Sequence, residues 1–298
     1  MDEGLSAEER PLFQRIADFP LVSLVIGVLI YALATALGLF LGNLVPPIGR
    51  FGTAAVHMII IIALALAAYK LVIWRLGDRP HDDLRFTRFL PELGKGIVIG
   101  AVLFSAIVAI AALLGVYRII GRGDSSGVLL ALIASAILPG FMEELLFRGI
   151  IQRFLEELLG SWGGLALASL AFGFAHYFNP DATARACLWI ALEAGVLLGG
   201  AYMLTRSLWL PTGLHAAWNF TQGAVFGVPI SGSPATGLVR ATLSGPELLS
   251  GGGFGLEASV IALVIATAAG IWFVWQAVRR GQLMQPWWVR CRAVKAGA

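Results

Sequence analysis

Charge is scarce in this chain. Of its 298 residues 13% are charged and 58% hydrophobic, where an ordinary soluble domain is about a quarter charged. A water-soluble globular protein is excluded, and counting rules for soluble domains do not apply. Cysteine is scarcer still. Cys187 lies in an apolar stretch and Cys291 in a basic tail, a spacing that gives neither a disulfide framework nor a zinc finger. There is no His-Glu-x-x-His, no low-complexity tract and no clear internal repeat. The start, Met1-Asp2-Glu3-Gly4, lacks the basic residues of a secretory signal. The first hydrophobic segment therefore reads as an uncleaved transmembrane helix. The net charge of +3 is small, and no nucleic-acid partner is expected.

What is abundant is apolar sequence in runs. A membrane-spanning helix needs about 20 apolar residues. Eight candidates are found, at 21–41, 54–74, 96–116, 127–147, 164–178, 187–204, 208–225 and 258–275. The fifth and seventh are short and carry polar residues. Excess Lys and Arg mark the cytoplasmic side of a membrane protein. Arg10 and Arg15, the link with Arg75, Arg79, Arg85, Arg88 and Lys95, then Arg148 and Arg153, Arg206, and the tail with Arg279, Arg280, Arg290, Arg292 and Lys295 all fall on one side if both termini are cytoplasmic. The opposite links hold Arg50, Arg118, Arg122, Arg185 and Arg240. The fold expected is an all-α polytopic transmembrane bundle of about eight spans with both termini cytoplasmic. Trp74, Trp209, Trp272, Trp275, Trp287 and Trp288 sit at predicted span edges and suggest an interfacial belt. The segment 81–92 is expected on the cytoplasmic surface. The Gly-, Ser- and Pro-rich segment 229–255 is expected to be an irregular external loop that dips partly into the protein.

Within these runs stand residues that hydrocarbon does not tolerate. A charged side chain at the centre of a membrane helix costs about 3 kcal/mol or more. Glu143-Glu144-x-x-x-Arg148 follows Pro139-Gly140, where the proline loosens the helical ladder. Glu144 and Arg148 are four apart with the acid first, the favoured order for an in-helix ion pair. Glu143 points roughly 100° away and is left free for another partner. Phe172-x-x-x-His176 comes next, beyond a plausible turn at Gly160-Ser161. Glu143 is 17 residues before Gly160 and His176 is 16 after it, so a hairpin brings them to one level. His215 and Asn219, four apart, share one helix face. Taken singly, each group has a structural reading as a packing residue, an interfacial salt bridge or helix-to-helix glue. Together they form the inventory of a hydrolytic site. Glu193, midway along the sixth span, is either a partner of these groups or the lining of a water-filled pocket. Gly195 and Gly199 are spaced for close helix contact.

In order and type, the three signatures resemble those of the CAAX prenyl endopeptidase and bacteriocin-processing (CPBP) family of intramembrane proteases, which includes the type II Ras-converting enzyme. The resemblance covers 127–225 and implies a helical bundle with a polar cavity open to the cytoplasm. It implies an intramembrane endopeptidase of a membrane-associated peptide or protein, lipidated (prenylated) or amphipathic. If the source is bacterial, it would sit in the plasma membrane among membrane lipid. The expected division is an accessory N-terminal part (1–125), a catalytic core (126–225), and a last part with external loop, final span and basic tail (226–298). In the expected mechanism Glu143 is the general base, helped by His176. His215 and Asn219 bind the oxyanion, and Glu144, held by Arg148, orients Glu143 or grips the substrate. A metal version, with a zinc ion on Glu143, His176 and His215 and Glu144 as base, rests on the resemblance, which also admits a metal-free glutamate mechanism. The rival class is a non-catalytic immunity or scaffold protein, or a small transporter.

Overall fold

The computed structural model describes residues 11–77, 79–235 and 237–296. The acidic start and Arg10 lie outside the described residues, as does the side chain of Lys295. The chain is mostly helical. A short α1 (Leu12–Ala17) leads into α2 (Pro20–Asn43), α3 (Arg50–Leu71) and α4 (Phe89–Leu113). A strand, β1 (Tyr117–Arg122), precedes α5 (Val128–Ala131), α6 (Leu138–Leu146) and α7 (Arg153–Ala175). Then come α8 (Ala184–Ile190), α9 (Val196–Thr205) and α10 (Trp209–Asn219). After β2 (Val239–Leu243) and α11 (Glu247–Ser250) the chain closes with α12 (Val260–Arg279) and α13 (Trp287–Ala296).

Among the described residues six helical stretches are long and apolar enough to cross a membrane: Pro20–Asn43, Arg50–Arg75, Phe86–Leu113, Ser125–Phe178, Ala184–Thr205 and Val260–Arg279. Eight were expected, and the difference has two local causes. The fourth stretch is 54 residues long, about twice what a bilayer needs. Its backbone leaves helical geometry at Gly160 (φ 79, ψ 170), a left-handed conformation that glycine adopts freely. The chain turns back there, because a Cβ at Gly164 would overlap the backbone of Glu156. Further up, the Arg148 guanidinium stands 4.3 Å from the Phe172 ring centroid. The expected hairpin at Gly160 is therefore present, inside one continuous apolar stretch. The expected seventh span is α10 continued by a π-helical segment, Phe220–Val225, shorter than a full crossing.

Glycines set the closest approaches. A Cβ at Gly96 or Gly100 of α4 would overlap the carbonyls of Leu210 and Leu214 in α10, and one at Gly213 would overlap the Leu93 carbonyl in return. Backbone thus packs on backbone, and α10 is pinned along α4. Gly195 lies close against Ser169, and Gly199 against the side chains of Leu165 and Gln152, the close helix contacts their spacing suggested.

Three expectations at the membrane edges are corrected. The segment 81–92 does not simply lie on the surface. Asp83 and Leu84 are buried; Tyr69 donates to the Asp83 carboxylate at 3.0 Å and Arg153 lies 3.9 Å from it. Trp209 is no belt residue, because it is buried among Phe86, Phe89 and Phe141. Trp272, Trp275 and Trp288 do stay about half exposed. The segment 229–255 holds a strand, since β2 pairs antiparallel with β1. As expected, it also dips inward: Ser250 and Phe254 are buried.

Candidate active site

Four π-helical segments, Leu132–Ile137, Phe147–Gln152, Ala191–Gly195 and Phe220–Val225, interrupt the helices that carry the polar residues. Such segments cluster at functional sites because they re-aim side chains. Arg148 and Glu193 lie within two of them, and Asn219 directly precedes another. Pro139, near the start of α6, follows the first. One residue on, a Cβ at Gly140 would crowd the backbone of Ala216. Glu143 and Glu144 are thereby set against His215 of α10.

Glu144 is fully buried and is the fixed point of the site. Its Oε1 accepts from Arg148 Nη1 at 2.9 Å and lies 2.7 Å from His215 Nδ1. The in-helix pair expected from the spacing is therefore made, but its further partner differs. The partner that Glu144 Oε1 meets besides Arg148 is His215. Arg148, also fully buried, donates to the Ala194 carbonyl at 3.2 Å and stacks its cation on Phe172. The charges are thus paired inside the bundle, as burial demands.

Glu143 is different. Its side chain is about one-third exposed, and Oε2 lies 3.9 Å from His215 Nε2 without a hydrogen-bond partner. It lines a cavity of about 630 Å³ together with His176, His215, Asn219, Ser135 and Pro139. The volume is in the range of natural ligand pockets. Asn219 donates from Nδ2 to the Ser135 carbonyl at 3.0 Å, leaving its second amide hydrogen for another acceptor. His176 Nδ1 is engaged with the Phe172 carbonyl at 2.8 Å, so its Nε2 is the free nitrogen. Among the described residues His176 makes no ion pair with either carboxylate. The hairpin brings His176 to the same cavity as Glu143, without direct contact.

The expected zinc set is not assembled. Among the described residues no group of three or more His, Cys, Asp or Glu is placed to hold a metal ion. His215 and His176 each have Nδ1 engaged, which leaves Nε2 of each free. Glu143, His176 and His215 share a cavity wall but do not form a ligand triangle.

Sequence reasoning missed part of the lining. Arg50, Asp124, Ser126, Ser231 and Ser233 surround the cavity mouth. They come from links 44–50, 114–127 and 226–259. The Arg-rich links meet at the other end, where Arg88 donates to the Thr205 carbonyl and Leu208 N to the Asp83 carbonyl. At that end too, Ser161 N donates to the Met284 carbonyl. Two expectations thereby collide: cytoplasmic termini and a cytoplasmic cavity mouth require opposite ends of the bundle.

The fold and site define an integral, multi-pass membrane protein with paired carboxylates and histidines in an intramembrane cavity. Residues 125–221 match the model of the family described as type II CAAX prenyl endopeptidase Rce1-like. This third of the chain is similar to the Rce1-like domain, a likeness consistent with a CPBP intramembrane protease, and that family points to a peptidase. Residues 4–121 match a second family, described as a predicted membrane protein (DUF2231). Neither a curated protein nor a solved structure matches the chain.

Proposed function

We propose that the chain is an intramembrane endopeptidase that hydrolyses a peptide bond in a lipidated or amphipathic substrate entering from the bilayer. The observation that carries this is the unpartnered Glu143 carboxylate, facing a large cavity beside His215, His176 and Asn219. In the reaction Glu143 takes a proton from a water molecule, whose oxygen bonds to the scissile carbonyl carbon. The carbonyl π electrons move to oxygen. Asn219 Nδ2 donates to this oxyanion, and His215 Nε2 joins it when the ring is doubly protonated, because Nδ1 faces Glu144. Each such donor is worth about 3 kcal/mol in the transition state. The C–N bond then breaks, and Glu143 returns its proton to the leaving nitrogen. His176 Nε2 steadies the water from across the cavity. No step is routed through a metal.

The three-part division at 125/126 and 225/226 is kept within this reading. The helices before the core brace it: Tyr31 of α2 donates to the Met142 carbonyl at 3.2 Å. Nothing observed favours the non-catalytic or transporter alternatives.

We further propose that the termini are cytoplasmic and the cavity opens on the opposite, outer face. The support is the concentration of Arg at the end away from the mouth, joined to the rule that cytoplasmic links carry the positive charge. Single cysteines at Ser126 and Gln282, in a protein lacking Cys187 and Cys291, would be labelled in intact cells with an impermeant maleimide. Labelling of the first alone agrees with this orientation; labelling of the second alone reverses it. For the activity itself, purified protein is incubated with quenched prenylated and unmodified amphipathic peptides. Cleavage by the wild type and none by Glu143→Gln is the expected result.

A further inference from the structure

Glu193 is the most anomalous residue the proposed reaction does not use. It is fully buried within an apolar helix, and neither carboxylate oxygen has a hydrogen-bond partner. A buried polar group without a partner is costly, and a lone buried charge more so. Glu193 lines a small cavity of about 30 Å³, and a second acid, Glu257, lines it too. Glu257 is also buried; one oxygen accepts from Ser231 N. Two carboxyl groups from distant parts of the chain thus converge on a space that holds about one water-sized group.

The position of this space matters as much as its charge. His176, His215, Asn219 and Ser231 line both the small cavity and the large one. The acidic space therefore adjoins the large cavity and shares part of its lining. Its remaining walls are apolar, with Ile190, Leu197, Leu198, Leu214 and Trp218. The small space takes only a compact cationic head, and the large cavity that shares its lining takes the apolar stem that carries it. A lysine has that shape, with four methylenes and an ammonium that donates three hydrogen bonds. A guanidinium is planar and larger, and an uncharged stem would leave the Glu193 oxygens unpartnered.

We propose that Glu193 and Glu257 form a subsite for the ammonium group of a substrate lysine beside the cleaved bond. This rests on the endopeptidase reading and narrows its substrates to peptides with a lysine at that place. Lysine binding would give the Glu193 oxygens the donors they lack.

The test compares peptides that carry lysine or norleucine, the stem without the charge, at each position in turn along one amphipathic sequence. Cleavage is measured with the wild type, and binding by fluorescence anisotropy with Glu143→Gln, which needs no turnover. At one position lysine should be favoured about tenfold or more, as a desolvated charge-assisted hydrogen bond supplies. Glu193→Gln should bring that ratio close to one. Glu247→Gln, an exposed acid paired with Arg185 at 3.1 Å, should leave the ratio unchanged. A ratio near one at every position, or a preference that survives Glu193→Gln, overturns the proposal. So does a preference for sodium ion alone, seen as stabilisation by Na⁺ without any lysine effect. Lysine-selective binding by Glu143→Gln without cleavage by the wild type would sustain the subsite and reject the endopeptidase reading.

Discussion

Replacing Glu144 with glutamine should destabilise the protein far more than replacing its neighbour Glu143. The side chain of Glu144 is fully buried, and its Oε1 serves both Arg148 at 2.9 Å and His215 at 2.7 Å. Glutamine keeps the shape but removes the charge, leaving the buried Arg148 guanidinium without a counterion. Breaking a buried ion pair from one side costs about 3–5 kcal/mol, because the remaining charge stays desolvated. Arg148 keeps only the Ala194 carbonyl and the face of Phe172, so the upper part of that range is not needed. Glu143 has no hydrogen-bonded partner to lose at Oε2 and reaches the cavity. Its replacement should stay within about 0.5 kcal/mol, as for other substitutions away from buried networks. Reversible unfolding in mixed micelles, followed by tryptophan fluorescence, measures both. A double substitution, Glu144→Gln with Arg148→Met, should recover much of the loss, since an apolar replacement of a buried pair is often neutral. A Glu144→Gln protein as stable as the wild type would refute the argument that this pair is desolvated and coupled.

Further expectations concern the rest of the site. Asn219→Ala should lower kcat by about 10²–10³ with a smaller effect on KM, as loss of an oxyanion donor does; an unchanged kcat would remove Asn219 from that role. Burial pushes the Glu257 carboxyl up to about 7, opposed by Ser231, Gln222 and His215. A raised folded value means this contribution to stability is complete below about pH 4.5 and is lost as pH rises through about 7. Unfolding measured at pH 5 and pH 8 should show the decline, and Glu257→Gln should flatten it.

The site was legible because its residues are improbable where they stand. Glu143, Glu144, Arg148, His176, His215 and Asn219 declare themselves against apolar runs, and helical spacing ties Glu144 to Arg148. Level along the hairpin was legible too, since nearly equal counts on either side of Gly160, 17 and 16 residues, give nearly equal height. Rotation was not. Whether Glu144 faces Glu143 or His215 depends on the close approach of α6 and α10 at Gly140, which no count along the chain reveals. The π-helical segments, each shifting the register by one residue, compound this. Glu257 was invisible for another reason: an acid just before an apolar span is ordinary until a fold sets it against Glu193, 64 residues away. The β1–β2 pair was hidden in links whose Gly and Ser content reads as irregular. The collision between a cytoplasmic mouth and cytoplasmic termini needed the three-dimensional structure, because only there do Arg50, Asp124 and Ser231 gather at one opening.

The central claim is that Glu143 activates the attacking water. The most direct measurement is cleavage of a quenched amphipathic peptide by wild type and Glu143→Gln at equal concentrations, with unfolding curves of both preparations. The account predicts turnover by the wild type, none detectable by Glu143→Gln, and superimposable unfolding. Wild-type turnover retained in Glu143→Gln would contradict it.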